Sequence, residues 1–276
     1  MKLDLPDIQA LNAALNDPED GFPAIVDQLC NLDEQGLLIA PQESPEEFQK
    51  RLTAMHAEWD YEPPADARPL PGGIREEAEH MVSYHLYGAS PRWIPVYCSS
   101  VETGRFSAGV TLILEKIVPI VFLSGAFLNK SRHRGYDAAE TLAHEMVHAL
   151  RIAYPVSVYE EYFPCQVHKS RFRRLAGNLF RRWEIPVLFF CGLTFAALHP
   201  VFLLIPVAAL LREIQLHLRI RSAAKKLREL HLRPEPVLLR LSDKEIKTLA
   251  KGKTLAFLED SGSFRRALLF RRFPLS

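Results

Sequence analysis

An uninterrupted apolar run of 27 residues, 185–211, limits how this chain can fold because it contains no Asp, Glu, Lys or Arg. Eighteen or more such residues are the usual criterion for a membrane helix. One continuous helix would be about 40 Å long, against a hydrocarbon core of about 30 Å. His199-Pro200 lies at the midpoint, and proline disfavours helical backbone in the residue before it. The sequence therefore favours a helical hairpin, with a single tilted span as the alternative.

Basic residues flank the apolar run on both sides. They are Lys169, Arg171, Arg173, Arg174, Arg181 and Arg182 before it, and Arg212, Arg219, Arg221, Lys225, Lys226 and Arg228 after it. Such residues favour the cytoplasmic side and anionic lipid headgroups. A hairpin keeps both clusters on that side, so we expect a membrane-associated protein with its catalytic part in the cytoplasm. The alternative is a buried hairpin in a soluble protein. No nucleic-acid-binding motif accompanies the arginines.

The charge of the chain is distributed asymmetrically. Residues 1–80 contain 5 Lys and Arg against 18 Asp and Glu, whereas residues 165–276 contain 22 against 8. The acidic and basic ends can pair with each other, or the basic end can face an anionic surface. A basic, apolar helix is predicted over residues 264–273. It can dock on the acidic N-terminal region or lie on an anionic surface.

Composition restricts the class of protein further. Hydrophobic residues make up 48% and charged residues 24% of 276 positions, which excludes a disordered tail and a polytopic transporter. The four scattered cysteines predict free thiols in a reducing compartment. The acidic N-terminus lacks the basic and apolar regions of a signal peptide, so we expect none to be cleaved.

The pattern predicts an α+β protein that is mostly helical, with a small antiparallel sheet. Ser44 and Glu47 form a capping box that opens a helix through about Glu58, and another helix covers residues 74–86. Strands over 93–99 and 106–116 flank a turn at 102–104 and suggest a hairpin. A third strand, 117–124, contains Pro119 and is expected at a sheet edge. Four regions result: 1–73 (acidic, helical, with a linker), 74–183 (catalytic), 184–213 (apolar) and 214–276 (basic, helical).

A helix over residues 138–152, with Asp137 as its N-cap, carries the pattern HExxH as His144, Glu145 and His148. Residues four apart lie on one face of a helix, so both imidazoles can bind one Zn²⁺. Glu145 is then placed to take a proton from a water molecule activated by the metal. A helix with two structural histidines is the alternative.

The order of helix, small sheet, edge strand and HExxH helix resembles that of zincin metallopeptidases over residues 74–165. The resemblance implies a peptide or protein substrate aligned along strand 117–124, with Glu145 as catalytic base. In the gluzincin group, which the chain resembles most, the third zinc ligand is a glutamate on the following helix. That resemblance points to Glu161. Ser157 and Glu160 fit a capping box, which gives Glu160 a structural role and leaves Glu161 as the preferred ligand, with Glu160 as the alternative. Only twelve residues separate His148 from Glu161, a short gap for that group.

A rival third ligand follows the apolar run. Membrane-embedded peptidases similar to the prenyl-protein proteases place hydrophobic spans between HExxH and a later Glu-x-x-x-Asp. Glu213 would match their ligand, but His217 stands where their aspartate is expected. His168, Tyr159 and Tyr162 are candidates for stabilising an oxyanion or are ordinary helix-face residues.

Two functions are consistent with these patterns. The first is a membrane-associated zinc-dependent metallopeptidase that hydrolyses peptide bonds with a metal-activated water. The second is a membrane-bound, non-catalytic binding or scaffold protein with a vestigial HExxH.

Overall fold

The computed structural model describes residues 3–275 apart from 4, 6–7, 17–20, 58, 60, 105–106, 116, 156 and 178–183. The helices are α1 (Gln9–Leu15), α2 (Gly21–Glu34), α3 (Pro45–Met55), α4 (Ile74–His80), α5 (Ser100–Thr103), α6 (Ala138–Leu150), α7 (Tyr162–Cys165), α8 (Arg171–Ala176), α9 (Glu184–Phe195), α10 (Leu204–Glu229), α11 (Pro234–Leu239), α12 (Asp243–Ala250), α13 (Ala256–Glu259) and α14 (Phe264–Arg272). The strands are β1 (Arg68–Pro69), β2 (Val96–Cys98), β3 (Gly109–Leu114), β4 (Val118–Leu123), β5 (Arg132–His133) and β6 (Tyr136–Asp137). The protein is therefore of the α+β class and mostly helical, as the sequence predicts.

The predicted capping residue of α3 has its expected role. Ser44 Oγ accepts a hydrogen bond from the Glu47 amide at 3.2 Å, and Glu47 Oε2 accepts one from the Ser44 amide at 2.9 Å. This exchange satisfies two amides that the first helical turn leaves without partners. The helix ends at Met55, and its predicted end at Glu58 lies outside the described residues.

The main sheet has the strand order β1-β2-β4-β3 and is mixed, not antiparallel as predicted. β2 pairs with β4 in parallel, and β3 pairs with β4 antiparallel. The predicted hairpin of strands 93–99 and 106–116 is wrong, because β4 lies between those strands and α5 occupies the predicted turn. The predicted strand ends at Phe106 and Lys116 lie outside the described residues.

The prediction that strand 117–124 forms a sheet edge is also wrong, because β4 is an interior strand and every residue in it is buried. Pro119 is tolerated because β2 pairs with Val121–Leu123 only. The Val121 amide donates to Pro95 on the β2 side at 3.0 Å. Amides two residues apart point to the same side of a strand, so the nitrogen of Pro119 faces beyond the end of β2. Its missing N–H leaves no ladder bond unmade. The edge strand next to β4 is β3.

The acidic and basic ends of the chain pair with each other. Both oxygens of Asp33 accept hydrogen bonds from Arg240 at 2.7 Å, and Arg272 donates to Asp33 at 3.3 Å. α14 packs against α2, so the final helix docks on the N-terminal region. One apolar core includes Leu29 of α2 and Met146 of α6, together with residues of α10 and α14. The division of the chain into four regions remains a prediction made from the sequence.

The apolar run forms two helices that pack against each other. α9 ends at Phe195, a 3₁₀ turn covers Pro200–Leu203, and α10 returns beside α9. A Cβ added to Gly192 would lie 2.8 Å from Pro206 Cδ and 3.1 Å from Ile205 Cβ, so glycine allows the close approach. The break coincides with His199-Pro200, as predicted.

Most large apolar side chains of this hairpin are exposed. Leu188, Phe190 and Leu211 are 54%, 58% and 60% exposed. The helical stretch Pro200–Glu229 is long and apolar enough to cross a membrane, and 17% of its most apolar window is buried.

Candidate metal centre

Helix α6 places His144 and His148 one turn apart. Its N-terminus is capped by Asp137, whose Oδ1 accepts hydrogen bonds from the amides of Ala139 at 3.1 Å and Glu140 at 3.2 Å. The two imidazole centroids lie 5.0 Å apart, and the side chains are 17% and 20% exposed. Both rings line one cleft.

The segment after α6 turns back and brings Glu161 to these histidines. Glu161 Oε2 lies 3.3 Å from His144 Nε2, and Glu161 Oε1 lies 3.4 Å from His148 Nε2. The segment is held by Asp243 of α12, which accepts hydrogen bonds from the Ser157 hydroxyl and the Val158 amide. This anchor, 86 residues away in the chain, is not visible in the local sequence.

The predicted helix beginning at Ser157 is largely a turn. Ser157 Oγ accepts from the Tyr159 amide at 3.0 Å, and the four-residue helix α7 begins only at Tyr162. Glu161 occupies its N-cap position, but its side chain caps no amide. Its carboxylate therefore faces the histidines.

Electrostatics couple Glu161 to the histidines. Burial acts to raise the pKa of the Glu161 carboxyl, but hydrogen bonds from His144 and His148 outweigh burial and hold this pKa well below its ordinary value. Burial acts to lower the pKa of His148, but the hydrogen bond and negative charge of Glu161 raise it overall. Glu161 and His148 therefore each stabilise the charged form of the other.

The two other candidate ligands lie apart from this group. In the described part of the chain, the atoms of His144, His148 and Glu161 gather within 4.8 Å of one another, and neither Glu160 nor Glu213 joins them. Glu160 is exposed and lines the same cleft. Glu213 is 6% exposed on α10.

Glu145 lies on the side of α6 that faces strand β3. Its Oε2 accepts a hydrogen bond from Thr111 Oγ1 at 2.7 Å, and the side chain is buried. A Cβ added to Gly109 would lie 2.9 Å from Thr141 Cγ2 and 3.1 Å from Glu145 Cγ, so only glycine lets the strand come this close. Sequence reasoning missed both Thr111 and Gly109. A glycine inside a predicted strand often marks such a close approach and was the available signal.

The cleft has a volume of about 460 Å³. It is bounded by β3, by the C-terminal half of α6 from His144 onward, and by the segment after α6 up to Glu161. In the described sheet β3 pairs with β4 along one side only, so an unpaired strand edge borders the cleft. The substrate-aligning strand that the zincin resemblance assigned to residues 117–124 is thus buried, and β3 has the edge position.

The remaining sequence candidates lie outside the cleft. Tyr159, Tyr162 and His168 are absent from its lining. Tyr159 is 1% exposed, and Tyr162 packs against His217 with ring centroids 5.2 Å apart. His217 Nε2 lies 2.8 Å from the Leu175 carbonyl oxygen, so this residue connects α10 to α8.

Comparison of the chain with models of protein families, with curated proteins and with solved structures finds no match.

Proposed function

We propose that this protein is a membrane-associated zinc metallopeptidase that hydrolyses peptide bonds in peptide or protein substrates. The observation that carries the proposal is the convergence of His144, His148 and Glu161 in a cleft that also holds Glu145 and a strand edge. The site itself supports the function, because a fold alone does not imply an activity.

The three residues fit zinc in chemistry and in spacing. Two imidazole nitrogens and one carboxylate form a donor set common in catalytic zinc sites, which leave a further position open. Ligand atoms 2.0–2.1 Å from a tetrahedral ion lie about 3.3 Å from each other. The carboxylate oxygens of Glu161 lie 3.3 Å and 3.4 Å from the two imidazole nitrogens.

Zinc, when bound, would supply a Lewis acid that lowers the pKa of water and polarises the scissile carbonyl. Glu145 would accept the proton of the attacking water and donate it to the leaving amine. The Thr111 hydroxyl, 2.7 Å away, orients the Glu145 carboxylate for both transfers. The edge of β3 offers unpaired backbone groups to an extended peptide, which would lie across the cleft.

The test is metal analysis of the full chain purified in detergent, combined with a peptide-library hydrolysis assay. We expect one zinc ion per chain in the wild type and in Glu145→Gln, with hydrolysis lost in the latter. Glu161→Gln should lose hydrolysis, whereas Glu160→Gln and Glu213→Gln, the matched controls, should retain it. Retained hydrolysis in Glu161→Gln would refute this ligand assignment.

A non-catalytic binding or scaffold protein predicts a different result. Glu145→Gln would then change nothing measurable, and the wild type would hydrolyse no member of the library. If zinc is bound but no peptide is hydrolysed, the metal site is structural and the proposed peptidase activity is rejected.

Membrane association is the second part of the proposal, and the α9–α10 hairpin supports it. A 12-residue helix such as α9 extends about 18 Å, which is less than the hydrocarbon core of about 30 Å. The hairpin would therefore enter the membrane from one side. Lys169, Arg171 and Arg174 before it and Arg212 after it would then meet anionic headgroups on the cytoplasmic side. Arg181 and Arg182, predicted members of this cluster, lie outside the described residues.

Flotation of the full chain with phosphatidylcholine–phosphatidylserine vesicles tests the hairpin. Leu204, 64% exposed on α10, can be replaced by aspartate without disturbing the core. Leu204 lies at the tip of the hairpin, which would reach the middle of the bilayer. An aspartate at that depth costs about 2.5–3.5 kcal/mol, so binding should weaken by at least about 50-fold. Ser261→Asp adds the same charge on an exposed turn outside the hairpin and should bind normally. Equal binding of both variants would reject insertion of the hairpin.

A further inference from the structure

A second group of metal-binding side chains lies beside His144, outside the proposed peptidase chemistry. The ligand atoms of His144, Cys165 and His168 lie within 4.8 Å of one another. Cys165 and His168 are 4% and 7% exposed, so the group is more deeply buried than the cleft. A Cβ added to Gly177 would lie 2.1 Å from Cys165 Sγ, which shows that backbone encloses the sulfur on that side.

His168 is held in the way that proteins hold metal-binding histidines. Its Nδ1 lies 3.0 Å from Oε2 of the buried Glu140, one turn before His144 on α6. The other oxygen of Glu140 accepts a hydrogen bond from the Lys169 amide at 3.3 Å. A carboxylate beside one ring nitrogen keeps the proton there and leaves the lone pair of the other nitrogen for a metal.

His144 contributes an atom that the peptidase proposal does not use. Its Nε2 faces Glu161, but its Nδ1 is buried and has no hydrogen-bond partner among the described residues. In most metal sites the second nitrogen of a ligating histidine is bonded to a carboxylate, a carbonyl or water. A buried polar atom without a partner costs about 1–3 kcal/mol, so such an atom calls for an explanation. Its ring lies 5.4 Å from that of His168.

We propose that Cys165, His168 and Nδ1 of His144 form a second metal position, suited to a thiophilic divalent ion such as Zn²⁺ or Cd²⁺. Thiolate and imidazole are the donors such ions prefer, and the buried setting resembles a closed structural site more than an open catalytic one. On binding, the Cys165 S–H bond breaks, the proton passes to solvent and a sulfur–metal bond forms.

The two positions compete because they share His144. A neutral imidazole has a proton on one nitrogen and a lone pair on the other, so His144 serves one position at a time. An ion held by Cys165 and His168 would withdraw His144 from His148 and Glu161. The thiolate position would thus hold the metal ion away from His148 and Glu161. Metal binding at this position does not depend on peptidase activity.

Titration of the metal-free full chain in detergent with Cd²⁺ and with Co²⁺ tests the proposal. Thiolate ligation produces a strong ultraviolet charge-transfer absorption, which sites with only nitrogen and oxygen donors lack. We expect this absorption in Glu161→Gln, where only the thiolate position is complete, and at lower or equal intensity in the wild type. Cys165→Ser and His168→Gln should lose it, whereas Cys191→Ser, an exposed control, should keep it.

The absence of the band from both the wild type and Glu161→Gln would overturn the second position, and so would its persistence in Cys165→Ser. The first result does not depend on whether Cys165→Ser folds, since the wild type and Glu161→Gln both keep Cys165. Zinc binding and hydrolysis without a thiolate band would retain the peptidase proposal alone. A thiolate band without hydrolysis would retain the second position alone.

Discussion

Replacing Asp33 by asparagine removes the charge that joins the two ends of the chain. Asp33 is 1% exposed and Arg240 is 4% exposed, and two hydrogen bonds of 2.7 Å connect them. Removing one partner of a buried ion pair costs about 3–5 kcal/mol, because the other charge stays buried without compensation. Arg240 keeps its bonds to the carbonyls of Tyr87 and Pro236, so we expect the lower value, about 3 kcal/mol.

Thermal unfolding of the full chain in detergent measures this loss. The entropy of unfolding is about 2.1 cal/mol/K per residue, or about 0.6 kcal/mol/K for this chain, so Tm should fall by about 5 °C. Glu77→Gln is the control, since Glu77 and Lys169 form a pair at 3.3 Å with side chains 54% and 63% exposed. An exposed pair contributes about 0–1 kcal/mol. A Tm change for Asp33→Asn no larger than that of the control would refute the reasoning.

Three further predictions concern the site and the hairpin. Gly109→Val should lower the free energy of unfolding by about 1–3 kcal/mol, because its Cβ would lie 2.9 Å from Thr141 Cγ2; an unchanged urea midpoint would contradict the close approach. In the metal-free protein the pKa of Glu161 is lowered, so this group stabilises the fold above its ordinary pKa of 4.5 and the stabilisation is lost as pH falls. The pKa of His148 is raised, so this group stabilises the fold below its ordinary pKa of 6.5 and the stabilisation is lost as pH rises. Glu161→Gln should therefore destabilise most between about pH 4.5 and 6.5, and urea unfolding at pH 5.5 and 8 with equal losses would exclude this coupling. Gly192→Leu should separate α9 from α10 and speed limited proteolysis of the hairpin in micelles, whereas Cys191→Leu on the exposed face should not; equal rates would reject the packing.

Local patterns predicted α6, its N-cap and the shared face of its two histidines. Asp137 caps the helix as expected, and His144 and His148 share one face because the helical repeat alone brings residues i and i+4 together. The break at His199-Pro200 followed in the same way from the backbone restriction of proline. Each of these features depends on contacts between residues at most four apart.

Such local patterns could not predict the order of the strands in the sheet. The sequence predicts segments that contain β2, β3 and β4, but not that β4 pairs in parallel with β2 and separates it from β3. Pro119 suggested an edge position for its strand. In the structure β4 is an interior strand, and the prolyl nitrogen needs no partner because β2 is too short to pair with Pro119. The edge that borders the cleft was therefore assigned to the wrong strand.

The amino-acid sequence was sufficient for α3 and α6, their caps, the pair of histidines and the break in the apolar run, since hydrogen bonds and steric limits within a few residues govern them. Which glutamate faces the histidines, which strand lies open and how the charged ends combine were resolved in three dimensions. Those features depend on long-range contacts such as Ser157 with Asp243 and Asp33 with Arg240, separated by 86 and 207 residues. Such pairs form only when the whole core packs, because the free energy that holds them comes from burial shared by distant parts of the chain.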